Sequence, residues 1–109
     1  MKYALLAYND PTSAHDQRGP IRPAVAEALK RSNVTGWVRL QPAESATTVS
    51  NPDAKTLLTD GPFVDSKEYL GGLIVIEAAN LDEALAFATE LQEGRDGGAI
   101  EVRPILEQR

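Results

Sequence analysis

The sequence predicts an α+β fold in which two helices cover one face of a mostly antiparallel β-sheet. Three observations support this prediction. The chain has 109 residues, which suits a single domain over residues 1–109 with one hydrophobic core. Its apolar and turn residues follow the order strand, helix, strand, hairpin, strand, helix, strand. The second helix also carries an amino-terminal capping pattern. This order is the split βαβ plan with an inserted hairpin.

The first strand and the first helix are separated by a polar loop. Residues 2–8 form a short apolar run that ends in turn-forming residues at 9–11. A helix is predicted over residues 20–33, because Pro23 suits a first helical turn and apolar residues follow at helical spacing. Since a strand followed by a helix brings the chain back along the sheet, this helix is expected to pack on it.

The second strand alternates between two faces. Over residues 37–41, Val38 and Leu40 share one face, whereas Trp37 and Arg39 share the other. The alternation indicates a strand that buries the face of Val38 and Leu40.

A hairpin is predicted next. The β-prone runs 46–50 and 55–59 flank the turn residues 51–53, and a second turn signal, Asp60-Gly61-Pro62, follows. The spacing fits two short antiparallel strands.

The carboxyl-terminal half repeats the order strand, helix, strand. Residues 68–77 predict a central strand whose Gly71-Gly72 pair indicates a bulge or a close backbone approach. Asn80 and Glu83 form a capping-box pattern at the start of a helix over residues 80–91. The last strand is predicted over residues 99–106, with Pro104 favouring an edge position.

The helices leave the other face of the sheet uncovered. Strand parity and the order of elements assign Trp37, Arg39, Glu101 and Arg103 to that face. Such a mixed face is a poor match to plain solvent in a chain of this size. We therefore expect self-association through it, and a homodimer in particular.

Composition excludes several classes of function. The net charge of −5 and the absence of a basic cluster disfavour nucleic-acid binding. The chain has no cysteine and one histidine, so neither a thiolate nucleophile nor a metal centre is expected, and no cofactor is predicted. No apolar run is long enough for a signal peptide or a membrane span, so a soluble, cytoplasmic protein is expected, with no membrane partner.

Several ordered segments resemble one family. Thr59-Asp60-Gly61-Pro62-Phe63 is similar to the motif of the DGPF domain family, part of the wider YCII-related group. The opening strand at Met1-Lys2-Tyr3, the segment Leu40-Gln41-Pro42 and the segment Leu70-Gly71-Gly72 agree with it, as does Glu101-Val102-Arg103-Pro104. The resemblance therefore covers nearly the whole chain.

The resemblance implies a fold and leaves the function open. It implies a ferredoxin-like α+β fold and a dimer whose sheets pack face to face as an α/β barrel, with a cleft at the interface. Some YCII-related enzymes act on small ring-derived metabolites through a histidine on the first helix. Val25 stands at the matching position in Arg22-Pro23-Ala24-Val25, so that histidine chemistry is not expected here.

Asp60 is the candidate catalytic residue. At the mouth of a cleft its carboxylate would serve as a general acid or base. The alternative is structural, because Asp, Gly and Pro all suit a turn and Phe63 would fill the core. Asp65 and Glu68 also supply carboxylates, for which a solvated loop is the simpler interpretation, as it is for the loop residue His15.

Arg39, Arg103, Glu101 and Tyr3 are the candidate ligand-binding residues. Two arginines on one face would bind a carboxylate, or Glu101 would neutralise one of them. Tyr3 would donate a hydrogen bond to a ligand or serve only in packing. Three functions stay open: a dimer that binds a small polar or acidic metabolite in an interface cleft, a small lyase- or isomerase-like enzyme that uses Asp60, and an accessory or regulatory module without catalysis.

Overall fold

The computed structural model describes residues 1–10, 19–64 and 68–109. His15 and Asp65 lie outside these residues. Within them the chain forms six strands and two α-helices, together with short 3-10 turns at Ala43–Ser45 and Pro52–Ala54. The elements are β1 (Lys2–Asn9), α1 (Pro23–Leu29), β2 (Val34–Arg39), β3 (Thr47–Ser50), β4 (Leu57–Asp60), β5 (Tyr69–Glu77), α2 (Leu81–Glu93) and β6 (Ala99–Pro104).

The main sheet contains four strands in the order β2-β5-β1-β6, and β3 and β4 form a separate two-stranded sheet. Every pairing within both sheets is antiparallel. This α+β arrangement confirms the expected fold class and is consistent with a ferredoxin-like fold. Pro104 lies on the edge strand β6, where its missing N–H breaks no internal pairing.

Both helices contribute to a core on one face of the main sheet. The shorter helix, α1, has Pro23 in its first turn and ends four residues earlier than predicted, at Leu29. In α2 the Asn80 Oδ1 atom accepts a hydrogen bond from the Glu83 N–H at 2.9 Å, which confirms the predicted cap. The core contains Tyr3 and Leu5 of β1, Ile74 and Ile76 of β5, Leu29 of α1, and Ala84, Phe87, Ala88 and Leu91 of α2.

The predicted irregularity at the two central glycines is a β-bulge. Ala7 pairs with Gly72, whereas Tyr8 pairs with Leu70, so Gly71 is the extra residue of β5. A Cβ atom at Gly71 would overlap the Asn9 side chain. Any larger residue at this position would therefore require the Asn9 side chain to move.

The predicted hairpin is present and is formed by β3 and β4. Thr48 pairs with Thr59 and Val49 pairs with Leu58. At its end Gly61 has a φ of 97°, the left-handed conformation expected of a turn glycine. The expectation that Phe63 fills the core is wrong, because its side chain is 83% exposed. Phe63 lies beyond the end of β4, outside the reach of the two-layer core.

Candidate functional site

A cavity of about 140 Å³ lies on the helix-covered side of the main sheet. We call it the arginine pocket. Its walls come from the carboxyl-terminal ends of β1 and β2, from α1, and from the loop after α2. The glycines of the β5 bulge, Gly71 and Gly72, also line it. Its apolar wall includes Ile21, Val25, Leu29, Trp37 and Ile100.

The charged residues of the arginine pocket are mostly cationic. Its described lining contains the guanidinium groups of Arg22, Arg39 and Arg95 and the carboxylates of Asp10 and Asp96. Arg22 Nη2 lies 3.8 Å from Asp96 Oδ2, so one cation and one anion form an ion pair. Three cations against two anions make the described lining locally positive, in a chain whose net charge is −5.

Arg95 is the most firmly held of these cations. Its Nη1 atom donates to Gln92 Oε1 at 2.8 Å and to Ala99 O at 3.0 Å. Its Nη2 atom donates to Tyr8 O at 2.7 Å and to Asn9 Oδ1 at 2.9 Å. Burial lowers the pKa of Arg95 from its usual value, because desolvation disfavours the charged form. The side chain therefore joins the end of α2 to the ends of β1 and β6, beside the pocket.

Trp37 and Arg39 lie on the helix-covered side, so their predicted position on the helix-free face is wrong. Trp37 pairs with the core residue Ile74, and Arg39 pairs with Gly72. Directly paired residues of antiparallel strands point to the same face. The predicted alternation was right, but alternation alone cannot say which face the helices cover. Arg39 Nη1 donates to Gly19 O at 2.8 Å, at the rim of the arginine pocket.

Glu101 and Arg103 lie on the helix-free face, as predicted. Glu101 pairs with Leu6 and Arg103 with Ala4, one residue out of phase with the core residue Leu5. The Arg103 Nε–H donates to Glu101 Oε2, so Glu101 neutralises this arginine. Arg39 and Arg103 therefore lie on opposite faces and cannot bind one carboxylate within a single chain.

The structure places the two remaining candidates outside the arginine pocket. Tyr3 is 2% exposed, and its hydroxyl donates to Met1 Sδ at 3.8 Å. Its position is that of a core residue. Asp60 is exposed at the end of β4, where it pairs with Thr47, and it is not part of the pocket lining.

Sequence reasoning missed most of the pocket. Of the predicted ligand-binding residues, Arg39 lies in it, whereas Arg22, Arg95 and Asp96 are lining residues outside that prediction. One signal could have identified two of them. Arg95 and Asp96 stand between glycines at 94 and 97 directly after a helix, and charged residues in such a loop are often functional.

A second cavity, of about 510 Å³, lies where the hairpin joins the main sheet. We call it the hairpin-base cavity. Its lining is mostly apolar and includes Tyr8, Leu40, Pro42, Val64, Tyr69 and Leu70. It also contains Glu68, and Asp60 is not part of its lining either. Within residues 1–10, 19–64 and 68–109, no three histidine, cysteine or acidic residues form a group that could hold a metal ion.

Comparison with known proteins gives a family assignment. The model of the YCII-related domain matches residues 1–109. An uncharacterized protein of Rhizobium meliloti (strain 1021) is 38% identical over an alignment 117 positions long, which covers 96% of this chain and 92% of that protein. Among the helices that the structure describes, none is long and apolar enough to cross a membrane.

Proposed function

The chain belongs to the YCII-related family, and we propose that it is a homodimeric binding protein for a small organic acid. We assign the acid to the arginine pocket. The observation that carries this proposal is the presence of three guanidinium groups around one cavity of an otherwise acidic protein. Arginine binds carboxylates through two parallel hydrogen bonds, which makes it well suited to recognise an acid.

The dimensions of the pocket favour a small ligand. Its volume of about 140 Å³ is below the roughly 300–1,000 Å³ of pockets that hold drug-sized molecules. Val25, Leu29 and Trp37 supply apolar lining in addition to the charged groups. A short carboxylic acid with an apolar or ring-derived body matches both parts of this lining.

The position of Val25 favours binding over catalysis. In the enzymes of the family that the sequence resembles, the corresponding position carries the histidine of the catalytic pair. Here Val25 lines the arginine pocket, and its side chain can neither accept nor donate a proton. Asp60 lies outside the lining of both cavities, so no observation favours the lyase- or isomerase-like alternative.

The helix-free face supports the dimer. By register, Leu6, Leu73 and Val75 lie on it, together with Val38, which is 52% exposed. No helix of the described chain covers these side chains, because both helices contribute to the core on the opposite face. A second copy packed face to face would remove this apolar surface from water, in the dimeric α/β-barrel arrangement that the resemblance implies.

A thermal-shift experiment with a panel of small carboxylic acids tests the binding proposal. An acid at a hundred times its Kd stabilises a protein by about 2.7 kcal/mol. That gain raises the Tm of a domain this small by on the order of 10 °C. We expect such a rise for the wild type and a much smaller one for Arg39→Gln and Arg22→Gln. Arg103→Gln, on the opposite face, is the matched control and should keep the full rise.

Two results would contradict the binding proposal. The first is a panel in which no acid raises the Tm of the wild type. The second is a rise that persists undiminished in the double variant Arg22→Gln, Arg39→Gln, because the acid would then bind elsewhere.

A further inference from the structure

The chain exposes more surface than a monomer of its mass. Its accessible surface is 7551 Å², whereas a folded monomer of 11.8 kDa exposes about 5,900 Å². Its radius of gyration is 15.4 Å, against about 13 Å for a compact domain of 109 residues. Both comparisons indicate that part of the chain extends away from the core.

The β3–β4 hairpin, residues 47–60, stands outside the main sheet, and we call it the hairpin arm. Among the residues that the structure describes, its two strands pair only with each other and are not part of the main sheet. An isolated two-stranded hairpin is at best marginally stable in water, because it cannot bury an apolar face. An arm of this kind therefore needs a surface against which to pack.

The arm presents apolar side chains on both faces. Val49 and Leu58 are paired across the two strands and share one face, where they are 68% and 65% exposed. Leu57, on the opposite face, is 50% exposed. The Val49–Leu58 pair is therefore the most open apolar feature of the arm, and covering it would add burial to the contact between the two side chains.

We propose that the hairpin arm is a dimerisation arm, whose Val49–Leu58 face packs against a second copy of this chain. This inference rests on the homodimer of the proposed function and extends its interface beyond the helix-free face. In a two-fold dimer each subunit would contribute one arm and receive one, because the same surfaces are used by both copies.

The area of exposed surface favours a second copy as the occupant. The excess over a typical monomer is about 1,600 Å² per chain. Obligate homodimers bury roughly 2,000–5,000 Å² in total, or about half of that on each partner. Summed over the whole chain, the excess is similar in size to the area that one subunit of such a dimer buries.

The location and the charge of the arm are consistent with packing against a second copy of the chain. Its base borders the hairpin-base cavity, whose lining includes Tyr8 and Leu70 of the helix-free face, so the arm continues the surface proposed for dimerisation. The arm contains three charged residues, Asp53, Lys55 and Asp60. Two copies of an acidic chain can meet at such a segment with little repulsion between like charges.

Sedimentation equilibrium of single variants tests the arm. The wild type should be a dimer at micromolar concentration. Leu58→Lys and Val49→Lys should each weaken the dimer by about 30-fold or more, the size of a hot-spot loss, because a lysine cannot remain charged in a dry apolar contact. Leu57→Lys, on the opposite face of the same hairpin, is the matched control and should change the dimer Kd much less. Circular dichroism verifies that each variant keeps its fold.

Hydrogen exchange of the wild type provides a test without substitutions. The backbone amides of β3 and β4 should exchange slowly at concentrations where the protein is a dimer, and much faster after dilution into the monomer range. A hairpin whose exchange is independent of concentration would overturn the inference.

The outcomes distinguish the inference about the arm from the proposal that the protein is a dimer. A monomeric wild type would overturn both the dimer and the arm. A dimeric wild type whose Kd is unchanged in Leu58→Lys and Val49→Lys would overturn the arm alone. In that case Leu73→Lys, on the helix-free face, would still dissociate the dimer.

Discussion

The main sheet and the hairpin arm have similar β-rich sequences but opposite environments. Ile74 and Ile76 of β5 are 7% and 0% exposed, whereas Val49 and Leu58 of the arm are more than half exposed. The main sheet lies beneath two helices, and neither of the two described helices covers the arm. The comparison shows that strand formation follows from local sequence, whereas burial depends on which other element covers the strand.

This difference assigns different roles to the two regions. Loss of an apolar side chain from the main sheet leaves a cavity in a core that cannot fully collapse. Loss of an apolar side chain from the arm leaves the core of the chain unchanged. Substitutions in the main sheet should therefore affect folding of the chain, and substitutions in the arm should affect association.

The largest effect is expected from Ile76→Ala. The Ile76 side chain is fully buried in the core on the helix-covered face of the main sheet, so its truncation should reduce the free energy of unfolding by about 2–5 kcal/mol. Leu58→Ala is the matched truncation in the arm and should cost less than about 0.5 kcal/mol, as exposed substitutions usually do. Chemical denaturation at a protein concentration low enough to favour the monomer compares the two. Equal losses would show that the arm belongs to the folded core of a single chain.

Two glycines with positive φ, one beside the main sheet and one at the end of the arm, allow a second comparison of the two regions. Gly98, just before β6, has a φ of 74°, and a Cβ atom there would overlap Tyr8 O. Gly61, at the end of the arm, has a φ of 97° and no atom within 4 Å of a Cβ position. Strain alone costs about 1–3 kcal/mol, and the overlap at Gly98 adds roughly 1–3 kcal/mol because the neighbouring strand must move.

Gly98→Ala should therefore lower the Tm more than Gly61→Ala. Gly36→Ala is the control, because this glycine has neither a positive φ nor an atom within 4 Å of its Cβ position. Thermal melts of the three variants measure the order. A Gly98→Ala melt that coincides with that of Gly36→Ala would contradict the close approach of Gly98 to β1.

The sequence predicted the helices and strands better than it predicted which face of each strand the helices cover. The capping pattern at Asn80 located the start of α2, and the Gly71-Gly72 pair located the bulge, because both signals are local. The face of β2 was assigned wrongly, since Val38 and Leu40 are the more aliphatic residues and were expected to lie beneath the helices. The register instead directs Trp37 and Arg39 to the helix side. Both faces of β2 carry large apolar side chains, so hydrophobicity could not distinguish them.

The arginine pocket was hidden from sequence reasoning for a related reason. Its charged residues come from segments far apart in the chain, around residues 22, 39 and 95. No spacing rule connects such segments, because they meet only after β1, β2 and α2 have packed together. The family motif around Asp60 is continuous in the sequence and is therefore easily recognised. It nevertheless lies at the end of the arm rather than in the pocket.

The smallest expected effect concerns the surface of the helix layer. Arg31, just after α1, donates two hydrogen bonds to the Glu90 carboxylate of α2, and its guanidinium lies 5.8 Å from the centre of the Phe87 ring. The hydrogen bonds from Arg31 hold the pKa of Glu90 below its usual value. A carboxyl group whose pKa is lowered on folding stabilises the native state above its unfolded pKa, about 4.3 for glutamate. This stabilisation is lost as the pH falls through the lower pKa of the folded protein.

Glu90→Gln should therefore lower the Tm at pH 7 and have progressively less effect as the solution is acidified below pH 4. Glu93→Gln, on the exposed side of the same helix, is the control for removing one negative charge from α2. The effect should be modest, because both side chains of the Arg31–Glu90 pair are about half exposed and solvent screens their attraction. A difference between wild type and Glu90→Gln that is equal at pH 7 and at pH 3 would show that packing, and not the charge, joins the two helices. The Arg31–Glu90 ion pair would then add little to the stability of the helix layer that covers the main sheet and is missing from the arm.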